Sequence, residues 1–161
     1  MVNEQFLVLT HHHMDHTGGL RAYAAQGATL LVVRGSADHF RKVLAAPFTR
    51  NPHLSPKDLS ATPIVDVADR HVLSDGTREV TLQVIENPHA VGMMFGYIAD
   101  ANLGWVTDLW SPGRDPLPEK LNPNQAAFVA GVKKAGLVPA RFVSGHGSSG
   151  EFAALAALEG K

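Results

Sequence analysis

Residues 9–19 read LTHHHMDHTGG, and four of the chain's nine histidines lie between positions 11 and 16. The segment offers a metal ion three imidazoles and one carboxylate, the ligand types that zinc prefers; they belong to His11, His13, Asp15 and His16. In an extended or turn conformation, His11 and His13 converge from one side, while Asp15 and His16 are carried round the turn to point elsewhere. One segment is therefore predicted to serve two neighbouring metals.

A histidine cluster also occurs for reasons that involve no catalytic metal. A purification-tag remnant is excluded, because tags are longer uninterrupted histidine runs in linkers, whereas Met14 and Asp15 interrupt this one. A solvated polar turn and a single structural zinc remain open on these residues alone.

The segments around the cluster predict a strand, a helix and a second strand. Residues 5–10 (QFLVLT) form an apolar run that predicts a buried strand ending where the histidines begin. A helix is expected over 20–27, closed by Gly27, followed by a strand over 28–33. Ser36 is expected to cap a further helix that Pro47 ends.

The remainder of the chain predicts a mixed α/β order in which candidate ligands follow strands. The Pro-rich residues 47–63 are expected to form a surface excursion that borders a pocket. Strands are predicted over 64–68, 70–73, 78–85, 93–99, 105–110 and 140–144, with a hairpin turn at Asp75-Gly76. Helices are predicted from Asn122-Pro123 to Gly136 and from Ser149 to residue 160.

Composition bounds the class of protein. Of 161 residues, 45% are hydrophobic and 18% charged, so we expect a single globular domain over residues 1–161. The absence of Cys excludes thiolate chemistry, Cys-based zinc sites and disulfides. A net charge of −1 gives no electrostatic affinity for nucleic acid, so no nucleic-acid partner is expected. No apolar run spans a membrane and no signal peptide follows Met1, so the chain as it stands is expected to be cytoplasmic without a membrane partner.

The histidine segment resembles the His-x-His-x-Asp-His signature of the metallo-β-lactamase superfamily, which lies at the end of a strand. That superfamily also has a later His, an Asp at the end of a strand, and a last His before a Gly. This sequence has His89 in NPHAVG, Asp108 in WVTDLW and His146 in SGHG, in that order. The resemblance spans residues 11–146 and implies an α/β fold, a metallo-β-lactamase-like αβ/βα sandwich.

The resemblance also implies a ligand set for two divalent metal ions. One ion would be held by His11, His13 and His89, and the other by Asp15, His16 and His146. Asp108 would bridge them, and Asp15 and Asp108 are the candidate catalytic residues. Because the iron-binding flavoprotein branch of the superfamily has Glu where this chain has His13, zinc is the expected metal, with iron and manganese as alternatives.

The implied activity is hydrolysis. Five neutral imidazoles and two carboxylates around two divalent ions leave a charge of about +2, and a metal-bridging hydroxide leaves about +1, which suits an anionic transition state. We expect a small-molecule substrate, namely an ester, lactone, thioester or amide. A β-lactamase ranks lower because the known classes keep a Cys or a different third ligand at the site.

A non-catalytic role competes with the enzyme. In the superfamily several strands precede the histidine signature, whereas only ten residues do here. The domain is therefore expected to be N-terminally truncated, with exposed sheet edges that favour association. On this alternative the chain is a metal-binding fragment, or a subunit completed as a homo-oligomer.

The sequence says less about substrate contacts. Phe48, Met93, Met94 and Trp110 either line an apolar pocket or form core. Arg114 either neutralises an acidic substrate group or is a surface arginine. His12 is expected to point away from the metals, with a supporting contact to a metal ligand as the alternative, and His39, His53 and His71 are expected to be exposed to solvent.

Overall fold

The structure is a computed structural model that describes residues 4–47, 58–114 and 116–161. The chain divides into two compact units, Met1–Ala68 and Asp69–Lys161, each with its own sheet and apolar core. The prediction of one domain over residues 1–161 stays a prediction.

The first unit has a parallel three-stranded sheet in the order β1-β2-β3. Its strands are β1 (Phe6–Val8), β2 (Thr29–Val33) and β3 (Ile64–Val67). Its helices are α1 (Met14–Thr17), α2 (Leu20–Ala25) and α3 (Ala37–Ala45). The central strand β2 is an apolar run, as expected for a parallel strand covered on both faces. The predicted strand, helix, strand order is confirmed.

Apolar residues and one arginine hold the first unit together. The core contains Leu9, Leu20, Leu30 and Phe40, all at most 2% exposed. Arg21 on α2 is also buried, and its Nη1 donates hydrogen bonds of 2.8–3.0 Å to the carbonyls of residues 43, 44 and 46. A cation at the last carbonyls of α3 satisfies groups that have no partner within the helix.

The second unit has a six-stranded sheet in the order β4-β5-β6-β7-β8-β9. The strands are β4 (Arg70–Ser74), β5 (Glu79–Ile85), β6 (Met93–Ile98), β7 (Leu103–Val106), β8 (Arg141–Ser144) and β9 (Ser149–Glu151). Strands β7 and β8 pair in parallel, and the other neighbours pair antiparallel. The helices are α4 (Pro123–Lys134) and α5 (Phe152–Ala156).

Aromatic rings fill the core of the second unit. Phe95, Phe128 and Phe142 are at most 1% exposed, and their ring centroids lie 4.7–5.9 Å apart. A Cβ at Gly104 would lie 2.2 Å from the Phe142 ring, so only glycine fits beneath it. Close packing of this kind fixes β7 and β8, the two strands that precede candidate ligands.

Most predicted elements of the second unit are confirmed. The predictions for two element boundaries in this unit and for one helix cap in the first unit are wrong. Asn122 accepts a hydrogen bond from the Gln125 N–H in a capping box that opens α4, as expected. The strand predicted over 105–110 lies instead at β7, because the chain turns sharply at Asp108. Ser149 starts the short strand β9 rather than the last helix, since residues 149–151 pair with β8. In the first unit, Ser36 precedes α3 without a side-chain capping bond.

Within the described ranges, no helix combines the length and apolar character needed to cross a bilayer.

Candidate functional site

The first unit carries the histidine signature directly after β1. The Leu9 N–H donates to the Leu31 carbonyl at 3.0 Å, so the chain stays on the sheet almost to His11. It then makes the single helical turn α1, which the sequence did not predict. The His13 carbonyl accepts the His16 N–H and the Thr17 hydroxyl, both at 3.1 Å, and this closes the turn.

The turn gathers three imidazoles. His11 is 2% exposed, and its ring centroid lies 4.5 Å from those of both His13 and His16. Ligand atoms of His11 lie within 4.8 Å of those of His13, and also within 4.8 Å of those of His16. His16 therefore does not point away from His11 as predicted, because the helical turn α1 brings its ring back towards the start of the segment.

Two polar neighbours complete this group. Asp15 Oδ2 lies 3.3 Å from His16 Nε2, and the Asp15 side chain is 55% exposed. Thr10 Oγ1 is hydrogen-bonded to His11 Nδ1 at 3.2 Å. A partner on Nδ1 fixes the ring's orientation, which is what a metal-binding histidine requires. Sequence reasoning did not identify Thr10, whose position beside a candidate ligand was the only signal.

Asp108 lies at the centre of the polar group in the second unit. Asp108 follows β7 and has a φ of +58°. The Leu109 N–H donates a hydrogen bond of 2.6 Å to the Thr107 carbonyl, so the bond spans Asp108. This is a γ-turn, a tight three-residue turn, and its central residue has the positive φ that is costly for any residue with a Cβ. Strain held at one polar residue is typical of functional sites.

The strained turn presents both carboxylate oxygens to histidines. Asp108 Oδ1 lies 3.0 Å from His146 Nε2, and Oδ2 lies 3.6 Å from His89 Nε2. All three side chains are largely buried, with exposures of 14% for Asp108, 23% for His89 and 32% for His146. The carboxylate therefore directs one oxygen towards each of two imidazoles.

Asn87 holds the loop that carries His89. Its Oδ1 accepts the backbone N–H groups of His89 and Ala90, both at 2.9 Å, and its Nδ2 donates to the Ile85 carbonyl at 3.0 Å. In this turn within Asn-Pro-His, the Asn side-chain oxygen accepts hydrogen bonds in the place of a backbone carbonyl. The signal was therefore present in the sequence, but it was not used.

The loop that carries His146 is fastened to the residues after Asp108. The Gly145 N–H donates to the Val106 carbonyl at 3.0 Å, and the Ser148 N–H donates to the Pro112 carbonyl at 2.7 Å. A Cβ at Gly147 would lie 2.5 Å from that same Pro112 carbonyl oxygen, so the two loops meet where only glycine fits.

Gly147→Ala is accordingly expected to destabilise the protein by about 1–3 kcal/mol and to lower metal retention, because backbone must move beside His146. The matched control is Gly19→Ala, where the φ is −86° and the nearest atom to a Cβ is a Tyr23 side-chain carbon at 3.5 Å. Urea unfolding and metal content check both variants. Equal values for the two variants would mean that the close approach at Gly147 has no consequence.

The remaining predicted residues fall into three groups. His12 and His39 are exposed, as expected, and the exposure of Arg114 favours the surface-arginine interpretation. Met93 and Trp110 pack in the apolar core of the second unit, which favours the core interpretation, and Met94 is also buried. His71 lies half-buried in β4, so its predicted exposure is wrong. Phe48 and His53 lie outside the described residues.

Solved structures resemble this chain over nearly its whole length. An archaeal metallo-beta-lactamase superfamily protein from Sulfolobus tokodaii matches 96% of this chain at 17% identity and a TM-score of 0.64. The apo chemotaxis sensor ODP from T. denticola matches 98% at 12% identity and a TM-score of 0.68. A metal-soaked flavodiiron core from Synechocystis matches 91% at 16% identity and a TM-score of 0.62.

The chain spans 66%, 69% and 38% of the lengths of these three proteins. No protein-family model matches the sequence, and no curated protein matches it. The three structures are a metallo-beta-lactamase superfamily protein, a chemotaxis sensor and a flavodiiron core. The likeness therefore identifies the architecture and leaves the reaction open. The mixed α/β architecture and the resemblance noted in the sequence are confirmed at the level of fold: this chain has the metallo-β-lactamase fold.

Proposed function

We propose that this protein is a metal-dependent hydrolase that uses two divalent ions. The observation that carries the proposal is the Asp108 carboxylate, held on a strained turn with one oxygen towards His89 and the other towards His146. Apolar packing does not require the costly backbone conformation of Asp108, nor a carboxylate whose two oxygens face different imidazoles. A centre with two metal ions would account for both features.

The donor chemistry of the two units fits such a centre. The first unit clusters three imidazoles and a carboxylate, and the second clusters two imidazoles and a carboxylate. Nitrogen and oxygen donors without thiolate suit zinc, iron or manganese. We propose the assignment that the family resemblance implies, in which one ion is held by His11, His13 and His89, the other by Asp15, His16 and His146, and Asp108 bridges them.

Two bound ions would lower the pKa of an attacking water to about 7 and polarise the scissile carbonyl. The protein's part is to position the donors and to set the charge. Thr10 orients His11, Asn87 orients the His89 loop, and the γ-turn aims Asp108. With two carboxylates in the set, the loaded site keeps a net positive charge, which favours a substrate that develops negative charge as it reacts.

The proposed substrate is a small ester or lactone. Thioesters and amides rank second among the candidate substrates, and β-lactams rank last. The test is a panel of chromogenic esters, a lactone and a cephalosporin, assayed with the zinc-reconstituted protein. We expect ester or lactone turnover that a chelator removes and zinc restores. Turnover of the cephalosporin alone would reverse the ranking. Inertness towards the whole panel with two metals bound would contradict the hydrolase proposal.

Iron is the competing metal, favoured by the likeness to a flavodiiron core. His13 argues for zinc, because an imidazole is a softer ligand than the Glu of the iron-binding branch. Anaerobic reconstitution with an equimolar mixture of zinc and ferrous iron separates the two. We expect zinc to predominate in the recovered protein and no oxygen consumption to follow exposure to air. Predominance of iron would overturn the choice of zinc.

A metal-binding subunit completed by a second copy is the alternative function. The chain spans 66% of the Sulfolobus tokodaii protein, and among the described residues β1 has a strand neighbour on one side only. A parallel strand with one described neighbour offers a second edge that can pair between chains. Gel filtration with light scattering tests it, and a monodisperse monomer would rule the assembly out.

A further inference from the structure

The sequence contains one Asp-Gly dipeptide, Asp75-Gly76, and no Asn-Gly dipeptide. It lies in the exposed turn that joins β4 to β5 in the second unit. The nitrogen of a glycine that follows an aspartate can attack the aspartate side chain, because no Cβ on the glycine hinders the approach. Asp75-Gly76 is therefore the place in this chain where the sequence predicts isomerisation of the backbone.

The isomerisation needs no reagent other than water. The Gly76 nitrogen forms a bond to Asp75 Cγ, and the carboxyl hydroxyl leaves as water with the amide proton, which closes a succinimide ring. One water then opens the ring. Opening at one carbonyl restores aspartate, whereas opening at the other leaves the main chain running through Cγ as isoaspartate, with the mass unchanged. The first step requires a neutral carboxyl group and an amide nitrogen that is free to attack it.

Hydrogen bonds within the turn hold both reacting groups. Asp75 Oδ1 accepts the Thr77 hydroxyl at 2.7 Å and the N–H groups of Thr77 and Arg78, both at 2.8 Å. The Gly76 N–H donates to Ser74 Oγ at 3.2 Å. The bonds to Oδ1, with that of the Thr77 hydroxyl the largest contribution, lower the pKa of Asp75 to about 2. The neutral carboxyl that the first step requires is therefore scarce.

We infer that Asp75-Gly76 is a latent isomerisation site and that Thr77 masks it. Thr77 supplies two of the three hydrogen bonds to Oδ1, and it is exposed, so core packing does not account for a threonine at this position. Isoaspartate would add one methylene to the main chain and move the carboxylate away from its three donors. The mask therefore preserves the turn that sets the register of β4 against β5, in which Ser74 is paired with Glu79.

The experiment measures isoaspartate at position 75 during incubation of the protein at neutral pH. Peptide mapping by chromatography and fragmentation mass spectrometry detects it, because the isomer elutes differently at the same mass. We expect the folded protein to isomerise about tenfold or more slowly than the same chain unfolded in urea, because unfolding removes the hydrogen bonds that keep the carboxyl ionised. Thr77→Val keeps the side-chain shape and removes the hydroxyl, so it should speed the reaction in the folded protein by about fivefold.

Thr81→Val is the matched control, because it makes the same chemical change within β5 and should leave the rate unchanged. Circular dichroism checks that both variants remain folded. Neither metal binding nor hydrolysis enters the measurement, so failure here leaves the proposed function standing. Equal rates in the folded and unfolded protein would overturn the inference. A rate in Thr77→Val no higher than that in Thr81→Val would overturn it as well, since Thr77 would then not be the mask.

Discussion

Asp108→Ala is expected to lower hydrolysis on the order of a thousandfold or more and to reduce the metal content, because the substitution removes a carboxylate that faces two imidazoles. The matched control is His12→Ala, which removes an exposed imidazole that lies next to a candidate ligand in the chain and should change hydrolysis by about tenfold at most. Metal analysis and activity on the best substrate of the panel check both. Equal effects of the two substitutions would show that Asp108 is not the bridge.

A second variant at Asp108 separates the ligand from its backbone. Glycine adopts φ +58° without the steric cost that a Cβ imposes, so metal-free Asp108→Gly should be more stable than metal-free Asp108→Ala by about 1 kcal/mol. Both variants should bind metal equally poorly. Urea unfolding of the metal-free proteins measures the difference, and a Gly variant no more stable than the Ala variant would argue against strain at this turn.

His11→Ala is expected to have the second largest effect. His11 is buried, and its ring is 4.5 Å from those of both His13 and His16, so its loss opens the centre of the three-imidazole cluster. We expect at least one metal equivalent to be lost and hydrolysis to fall more than about a hundredfold. His11→Gln serves as a second variant, since it keeps most of the buried volume while removing the imidazole.

Circular dichroism and metal analysis on both His11 variants check this expectation. Retained secondary structure with lost metal is the predicted pattern. Two equivalents of metal in folded His11→Gln would contradict the assignment of His11 as a ligand.

The sequence predicted the main strands and helices because their signals are local. β2 is an uninterrupted apolar run, and Asn122-Pro123 is a helix start that combines a cap with a residue already fixed in the helical φ. The candidate ligands were recognised for a different reason. His11, His13, Asp15 and His16 are too dense a set of metal-binding residue types to be expected in a core.

The remaining features depend on contacts between distant residues, which no local pattern records. The left-handed turn at Asp108 was not predicted, because a non-glycine residue rarely adopts positive φ. β9 is three residues of polar or small type, and only pairing with β8 makes it a strand. The burial of Arg21 follows from the end of α3, more than twenty residues away. Local propensity cannot anticipate such tertiary partners.

We propose that the candidate ligands, taken together, hold two divalent ions per chain. Metal content after removal of all metal, reconstitution with zinc and desalting tests it most directly, measured by inductively coupled plasma mass spectrometry against protein concentration. We predict two equivalents of zinc per chain, with a clear loss in Asp108→Ala. Less than one equivalent of zinc, iron or manganese after reconstitution would contradict the claim.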